Sequence, residues 1–122
     1  MDSILTSIKK HLGIAEHYDY FDPDIIMDIN SVLAELTQIG VGPPEGFRIN
    51  GKTETWAEFV GTDPRLSMVQ SYVQLSVKLL FDPPQSSALA DVFNRQIERL
   101  EWRLSVAVDP GEHENEEEIQ NG

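Results

Sequence analysis

Aspartate–proline steps divide this chain into helical segments. In Asp22-Pro23 and Asp63-Pro64, a capping side chain precedes a proline that fits the first turn of a helix. In 82–84, Asp-Pro-Pro ends a helix, because two prolines cannot continue it. Between these steps, apolar residues recur at helical spacing. We therefore predict a mainly α fold, a small bundle of about four helices.

The predicted helices run over 3–12, 22–40, 65–81 and 88–106. Asp22 should cap the second helix and Gly40 should end it, and Ser86 or Ser87 should cap the fourth. The second helix should turn Asn30, Ala34 and Gln38 to solvent. The core stripe of the fourth consists of Leu89, Phe93, Ile97, Leu100 and Leu104.

The third helix has two adjoining apolar stripes, and its apolar arc is wider than one packing face requires. One stripe contains Leu66, Val69, Val73, Val77 and Leu80. The other contains Met68, Tyr72, Leu75 and Leu79. We expect this helix to be central, touched on two sides, or shared with another chain.

The segment between the second and third long helices predicts a short β-hairpin. Asn50-Gly51 stands between two short runs, 47–49 and 52–55, and Asn-Gly is a strong hairpin signal. After it, Trp56, Phe59 and Val60 predict a short helical turn that fixes the loop.

Composition bounds the class of function. The chain has 122 residues, a net charge of −12 and no cysteine. A chain this acidic is repelled by phosphate backbones, which argues against tight nucleic-acid binding through a basic face. The absence of cysteine excludes disulfides and thiolate metal sites and fits folding in a reducing cytoplasm. The first ten residues lack the apolar run of a signal peptide.

The acidic charge is concentrated in the tail. Six acidic residues and no Lys or Arg follow Val108, so half of the net charge lies there. We expect residues 1–108 to form the helical domain and 109–122 to be a flexible acidic tail, disordered in the isolated chain. The tail is either a solubilising extension or an arm that orders on a partner.

No arrangement of residues predicts catalysis, cofactor binding or a metal site. His11 and His17 lack the i, i+4 spacing that places two ligands on one helix face. No serine lies in a nucleophile motif, and Gly40-Val41-Gly42 is not followed by the helix N-terminus that a phosphate cradle needs.

The fourth helix has a basic stripe made of Arg95, Arg99 and Arg103. One interpretation is a solvated face balanced by Glu98 and Glu101. The other adds Trp102 to the same surface, because exposed Trp and Arg are the residue types that anchor protein interfaces.

Two segments resemble a known family. They are VKLLFDPP over 77–84 and LEWRL over 100–104. Together with the order of elements, a short helix, an amphipathic helix, a Gly-Pro loop and two long helices broken by Asp-Pro-Pro, they resemble the head–tail connector (adaptor) family of tailed phages, especially the siphophage and prophage type of Gram-positive hosts.

This resemblance implies a structural virion protein and not an enzyme. Its partners would be the portal, neighbouring copies in a ring, and a downstream connector, stopper or tail protein. DNA would pass through the ring without specific binding, and no cofactor or membrane is implied. The protein would reside at the head–tail junction, and in the host cytoplasm during assembly.

Carried onto this chain, the resemblance assigns contacts to several surfaces. Met68, Leu75 and Leu79 would bury against an adjacent copy. Arg95, Arg99 and Trp102 would meet an acidic neighbour, the hairpin at Asn50 and Gly51 would reach the next ring or the channel, and the tail, with Asp109 and Glu112, would dock on the portal.

Two other classes of function are weighed against this one. An acidic phage regulator or DNA mimic needs carboxylates spread over one folded surface, whereas half of the excess charge here lies in the tail. A small enzyme needs a catalytic constellation, which the sequence does not offer.

Overall fold

A computed structural model describes residues 3–62 and 65–108, with only the backbone given at positions 66 and 108. Five helices occupy this part of the chain. They are α1 (Ile4–Leu12), α2 (Asp22–Gln38), α3 (Trp56–Val60), α4 (Leu66–Phe81) and α5 (Ser87–Val108). The predicted mainly α class is confirmed, and α3 is the short helical turn that the sequence indicated.

Helix ends follow from capping side chains and left-handed glycines. The Ser3 hydroxyl caps α1 by accepting a hydrogen bond from the Thr6 N–H at 3.2 Å. Gly13, with φ of 80°, ends that helix because glycine enters the left-handed region without strain. At α5, the Ser86 hydroxyl accepts from the Leu89 N–H at 3.3 Å, as one of the two predicted caps.

The cap predicted for α2 was wrong by one residue. Phe21 occupies the N-cap position, and Asp22 is the first helical residue. The Asp22 carboxylate instead pairs with the Lys9 ammonium at 2.8 Å. The helix ends at Gln38 with Ile39 as its C-cap, and Gly40 follows with a φ of 93°, as predicted for the terminating glycine.

The predicted β-hairpin is wrong. Within the described residues no strand forms, and one isolated bridge joins Ser3 to Thr55. Neither Asn50 nor Gly51 adopts the positive φ that a two-residue hairpin turn requires. Their backbone N–H groups donate instead to the Glu54 carboxylate, at 2.8 and 3.4 Å, so the segment is a loop closed by a side chain.

The side chain of Asn30 holds this loop against α2. Its position also shows that a second prediction was wrong. The side chain was expected to face solvent, yet it is buried. Its amide donates to the Ile49 carbonyl at 3.0 Å, and its oxygen accepts from the Ile49 N–H at 2.8 Å. These two bonds satisfy the backbone groups that a partner strand would otherwise have paired, so Ile49 is buried as part of the core.

The loop is pinned at its far end by α3. Trp56 is buried in the core, and its indole N–H donates to the Ser7 hydroxyl at 2.9 Å. Thr55 and Glu58 form a reciprocal capping box at the start of α3. Gly42 lies directly against Phe59, and a Cβ at this position would stand 2.4 Å from that ring.

Helix α4 is the central element of the bundle, because it packs against α1, α2 and α5. This agrees with its wide apolar arc. Val69, Tyr72, Val73 and Val77 are buried in the core. Leu80 was predicted to join them, but its side chain is 55% exposed in the last turn of the helix.

Candidate functional site

The outer surface of α5 is the candidate functional site. The inner side of this helix packs on the core through Leu104, Ile97 and Leu100. Leu89, the first residue of the predicted core stripe, is instead exposed, because the first turns of α5 extend beyond the buried part of that stripe. On the outer side, the Trp102 ring is 67% exposed, which agrees with its expected position away from the core.

The surroundings of Trp102 are divided by charge. Trp102 follows Arg99 by three residues and Glu98 by four, so both lie one helical turn away. Arg95, Arg99 and Arg103 form the basic stripe on one side. On the other side, a shallow depression is lined by Glu98, Glu101, Trp102 and Ser105. The aromatic ring therefore separates a basic edge from an acidic edge.

The three arginines of the basic stripe are exposed and have no ion-pair partner among residues 3–62 and 65–108. Their neighbours on the helix include Asp91 and Glu98, yet no salt bridge forms. Three like charges one turn apart repel each other modestly. The stripe is thus chemically suited to bind an acidic group.

A second exposed apolar region surrounds the turn between α4 and α5. Leu80, Leu89 and Val92 expose large side chains there. Nearby, Phe21 contacts Phe81 edge to face with 5.5 Å between ring centroids, and Tyr20 contacts Phe21 in the same way at 5.0 Å. Tyr20 is 73% exposed. Three of the five residues 17–21 are aromatic, and nothing in the sequence places this segment beside the end of α4.

Lys9 shapes this aromatic region and was missed in the sequence. Its side chain is buried, and the ammonium donates to the Glu16 carbonyl at 2.9 Å and to the Tyr18 carbonyl at 2.7 Å. The Lys9 ammonium also forms an ion pair with the Asp22 carboxylate. A hint was present, because Lys9 lies one turn from Leu5 and Leu12 on the apolar side of α1.

A buried tyrosine of α4 forms a hydrogen bond to α2. The Tyr72 hydroxyl donates to the Glu35 carboxylate of α2 at 3.1 Å. Burial raises the pKa of Tyr72 well above its usual range, and the nearby carboxylates of Glu35 and Glu101 raise it further. The neutral hydroxyl therefore acts as a structural donor from α4 to α2.

The other predicted interface residues within the described part of the chain lie on α4 and on the loop between α2 and α3. Met68 is half-buried and packs on the core, and Leu75 and Leu79 are also half-buried. Asn50 is exposed on the loop closed by Glu54, away from α5 in the chain. Asp109 and Glu112 lie outside the described residues.

The outer face of α5 and the apolar region at the turn between α4 and α5 are candidate binding surfaces. In the described part of the chain, no group of three or more His, Asp or Glu residues is placed to hold a metal ion. None of the helices described there is long and apolar enough to cross a membrane.

Comparison with known protein families gives a match. The family model described as Phage connector protein matches residues 4–111, which include every described helix. Searches of the curated proteins and of the solved structures found no match. Since the family model covers most of the chain, this protein belongs to the phage connector protein family.

Proposed function

We propose that copies of this chain form a ring beneath the portal of a siphophage and join the DNA-filled capsid to the next connector or to the tail. The protein acts as a structural part and catalyses no reaction. Membership of the connector family supports a structural role in the phage particle. The ring, the portal contact and the channel are our proposal.

The observation that carries this proposal is the outer face of α5. A large aromatic side chain that is 67% exposed contributes little to the fold of a monomer, but it can contribute strongly to an interface. The basic and acidic edges on either side of Trp102 allow the same contact to repeat from copy to copy, basic edge to acidic edge. Such a head-to-tail contact closes into a ring when the rotation between copies permits.

In the same proposal, other surfaces of the chain form additional contacts. The half-buried residues Met68, Leu75 and Leu79 meet the adjacent copy. The loop at Asn50 and Gly51 faces the next ring or the channel, and the tail from Asp109, with Glu112, docks on the portal. The net charge of −12 suits a conduit, because an acidic wall repels the phosphates of a passing duplex.

Electron microscopy of the purified portal mixed with this protein tests the proposal. We expect an added ring of density on the portal. Trp102→Ala should abolish or strongly reduce it, whereas Met27→Ala should not, because Met27 is a similarly exposed apolar residue on α2. A portal that gains no density from the unmodified protein would contradict the proposal.

The contribution of the tail is tested in the same assay. A chain ending at Val108 should fold like the full chain and bind the portal more weakly. Unchanged binding would show that the tail is a solubilising extension, in contradiction to its proposed docking role.

A further inference from the structure

We infer that the acidic tail of this chain binds the basic stripe of its own α5 before the protein joins a partner. The occupant is the segment 112–118, and the surface it covers is formed by Arg95, Arg99 and Arg103. This contact goes beyond the proposed ring, because it exists in the free monomer and needs neither portal nor neighbour. It replaces the expectation, drawn from composition, that the tail is disordered in the isolated chain.

Charge complementarity is the first support. The three arginines are exposed and have no ion-pair partner in the described part of the chain. The tail contains five glutamates within seven residues and neither Lys nor Arg. Charge-assisted bonds between guanidinium and carboxylate are among the stronger polar contacts available on a protein surface.

The spacing of the charges is the second support. Arginines four residues apart on a helix repeat about every 6 Å along its axis. Glu112, Glu114, Glu116 and Glu118 alternate with other residues, and in an extended chain alternate residues repeat about every 6.7 Å. An extended tail can therefore present one carboxylate to each arginine in turn.

The reach of the tail is the third support. Arg95 lies thirteen residues before Val108, which is about 20 Å along the helix. Glu116 follows Val108 by eight residues, and eight extended residues span about 26 Å. Pro110 and Gly111 come directly after the helix, and this dipeptide favours a chain reversal.

The consequence concerns the timing of assembly. In the proposed ring, the acidic edge of a neighbour takes the basic stripe. While the tail of the same chain is bound to the basic stripe, free copies cannot pair through it. A portal that binds the tail removes it from the stripe and so makes the stripe available to a neighbour. Because the tether holds the segment at an effective concentration in the millimolar range, even a weak contact is populated.

A single fluorescent label tests the contact in the full chain. The protein has no cysteine, so Asn115→Cys provides one attachment point for a bimane dye, whose emission is quenched when it touches tryptophan. Trp56 is buried, which leaves Trp102, beside the stripe, as the exposed quencher. Because the tether holds the labelled segment near Trp102 at a millimolar effective concentration, the dye should be quenched in much of the population. We therefore expect emission to rise about twofold when the labelled protein also carries Trp102→Phe.

Two triple variants test whether the contact depends on the arginines of the stripe or only on the total positive charge of the chain. Arg95→Gln with Arg99→Gln and Arg103→Gln should relieve the quenching, and so should 1 M salt, at which the screening length is only about 3 Å. The control variant neutralises three other exposed cationic residues outside α5, namely Lys10, Arg48 and Lys52. It removes the same number of positive charges and should leave the quenching unchanged. Circular dichroism checks that both variants are folded.

Three results would overturn the inference. These are equal emission with and without Trp102, equal relief by the two triple variants, or quenching that grows with protein concentration, which would place the tail on a second copy. The portal assay is scored separately, so a tail that misses α5 does not decide whether the ring forms.

Discussion

The two tryptophans of this chain lie in opposite environments, and they divide the molecule into two regions. Trp56 is 1% exposed and donates its indole N–H to Ser7. Trp102 is 67% exposed on α5. In the loop before Trp56, the Ile49 backbone is paired with Asn30 of α2, and the Asn50 and Gly51 N–H groups are paired with Glu54. Around Trp102, the three arginines of the basic stripe have no ion-pair partner within the described residues, and the indole ring faces water. The first region stabilises the fold, and the second is available for binding.

The largest effect is expected from Trp56→Ala. Removing a buried indole leaves a cavity and takes away the N–H group that donates to the Ser7 hydroxyl, so the free energy of unfolding should fall by about 3–5 kcal/mol. Urea unfolding followed by circular dichroism measures this. Trp102→Ala, measured in parallel, should change stability by less than about 0.5 kcal/mol. Equal losses in the two variants would remove the distinction between the regions.

Lys9→Met tests whether the buried ammonium supports the aromatic region. The variant leaves the Glu16 and Tyr18 carbonyls and the Asp22 carboxylate without their donor. Because Asp22 is partly exposed, the expected loss is about 2 kcal/mol, below that of a fully buried ion pair. Lys10→Met is the matched control on the exposed side of α1 and should be nearly neutral in the same unfolding experiment.

Asn30→Ala tests the contact that replaces the predicted hairpin. The Ile49 N–H and carbonyl lose their partners inside the protein, which should cost about 1–3 kcal/mol. Gln38→Ala, an exposed position on the same helix, is the control. Hydrogen exchange of the Ile49 amide should accelerate in the first variant and not in the second, and an unchanged rate would argue against this pairing.

The smallest effect is a dependence of stability on alkaline pH. The pKa of Tyr72 is higher in the folded chain than its ordinary value of 10.0, so folding favours the neutral hydroxyl. Its contribution is complete below pH 10 and is lost as the pH rises toward the folded-state pKa. Tyr72→Phe should lower stability at pH 7 by about 1 kcal/mol and should flatten this alkaline decline. Tyr20→Phe, at an exposed ring, should do neither.

Much of the fold could be predicted because helix ends are encoded locally. Pro23, Gly13 and Pro83 act on the backbone within one turn, so the helices were found to within a few residues. The hairpin failed for the opposite reason. The Asn50-Gly51 signal is local, whereas the bonds that hold Ile49 come from Asn30, nineteen residues away.

The candidate site was predicted unevenly for a related reason. Helical spacing alone places Trp102 away from Leu104, so its exposure follows from the sequence. Leu80 and Leu89 fit the apolar stripes, but they lie beyond the buried length of the bundle, and a stripe does not show where the bundle ends. The burial of Lys9 depends on the carbonyls of Glu16 and Tyr18, whose positions are set by the fold.

The most direct test of the account compares Trp102→Ala with the unmodified protein in two assays on the same preparation, urea unfolding and sedimentation with purified portal. We predict an unfolding midpoint that does not shift and co-sedimentation that is lost. An unfolded or strongly destabilised variant, or one that sediments with the portal as well as the unmodified protein, would contradict the assignment of the outer face of α5 as the binding surface.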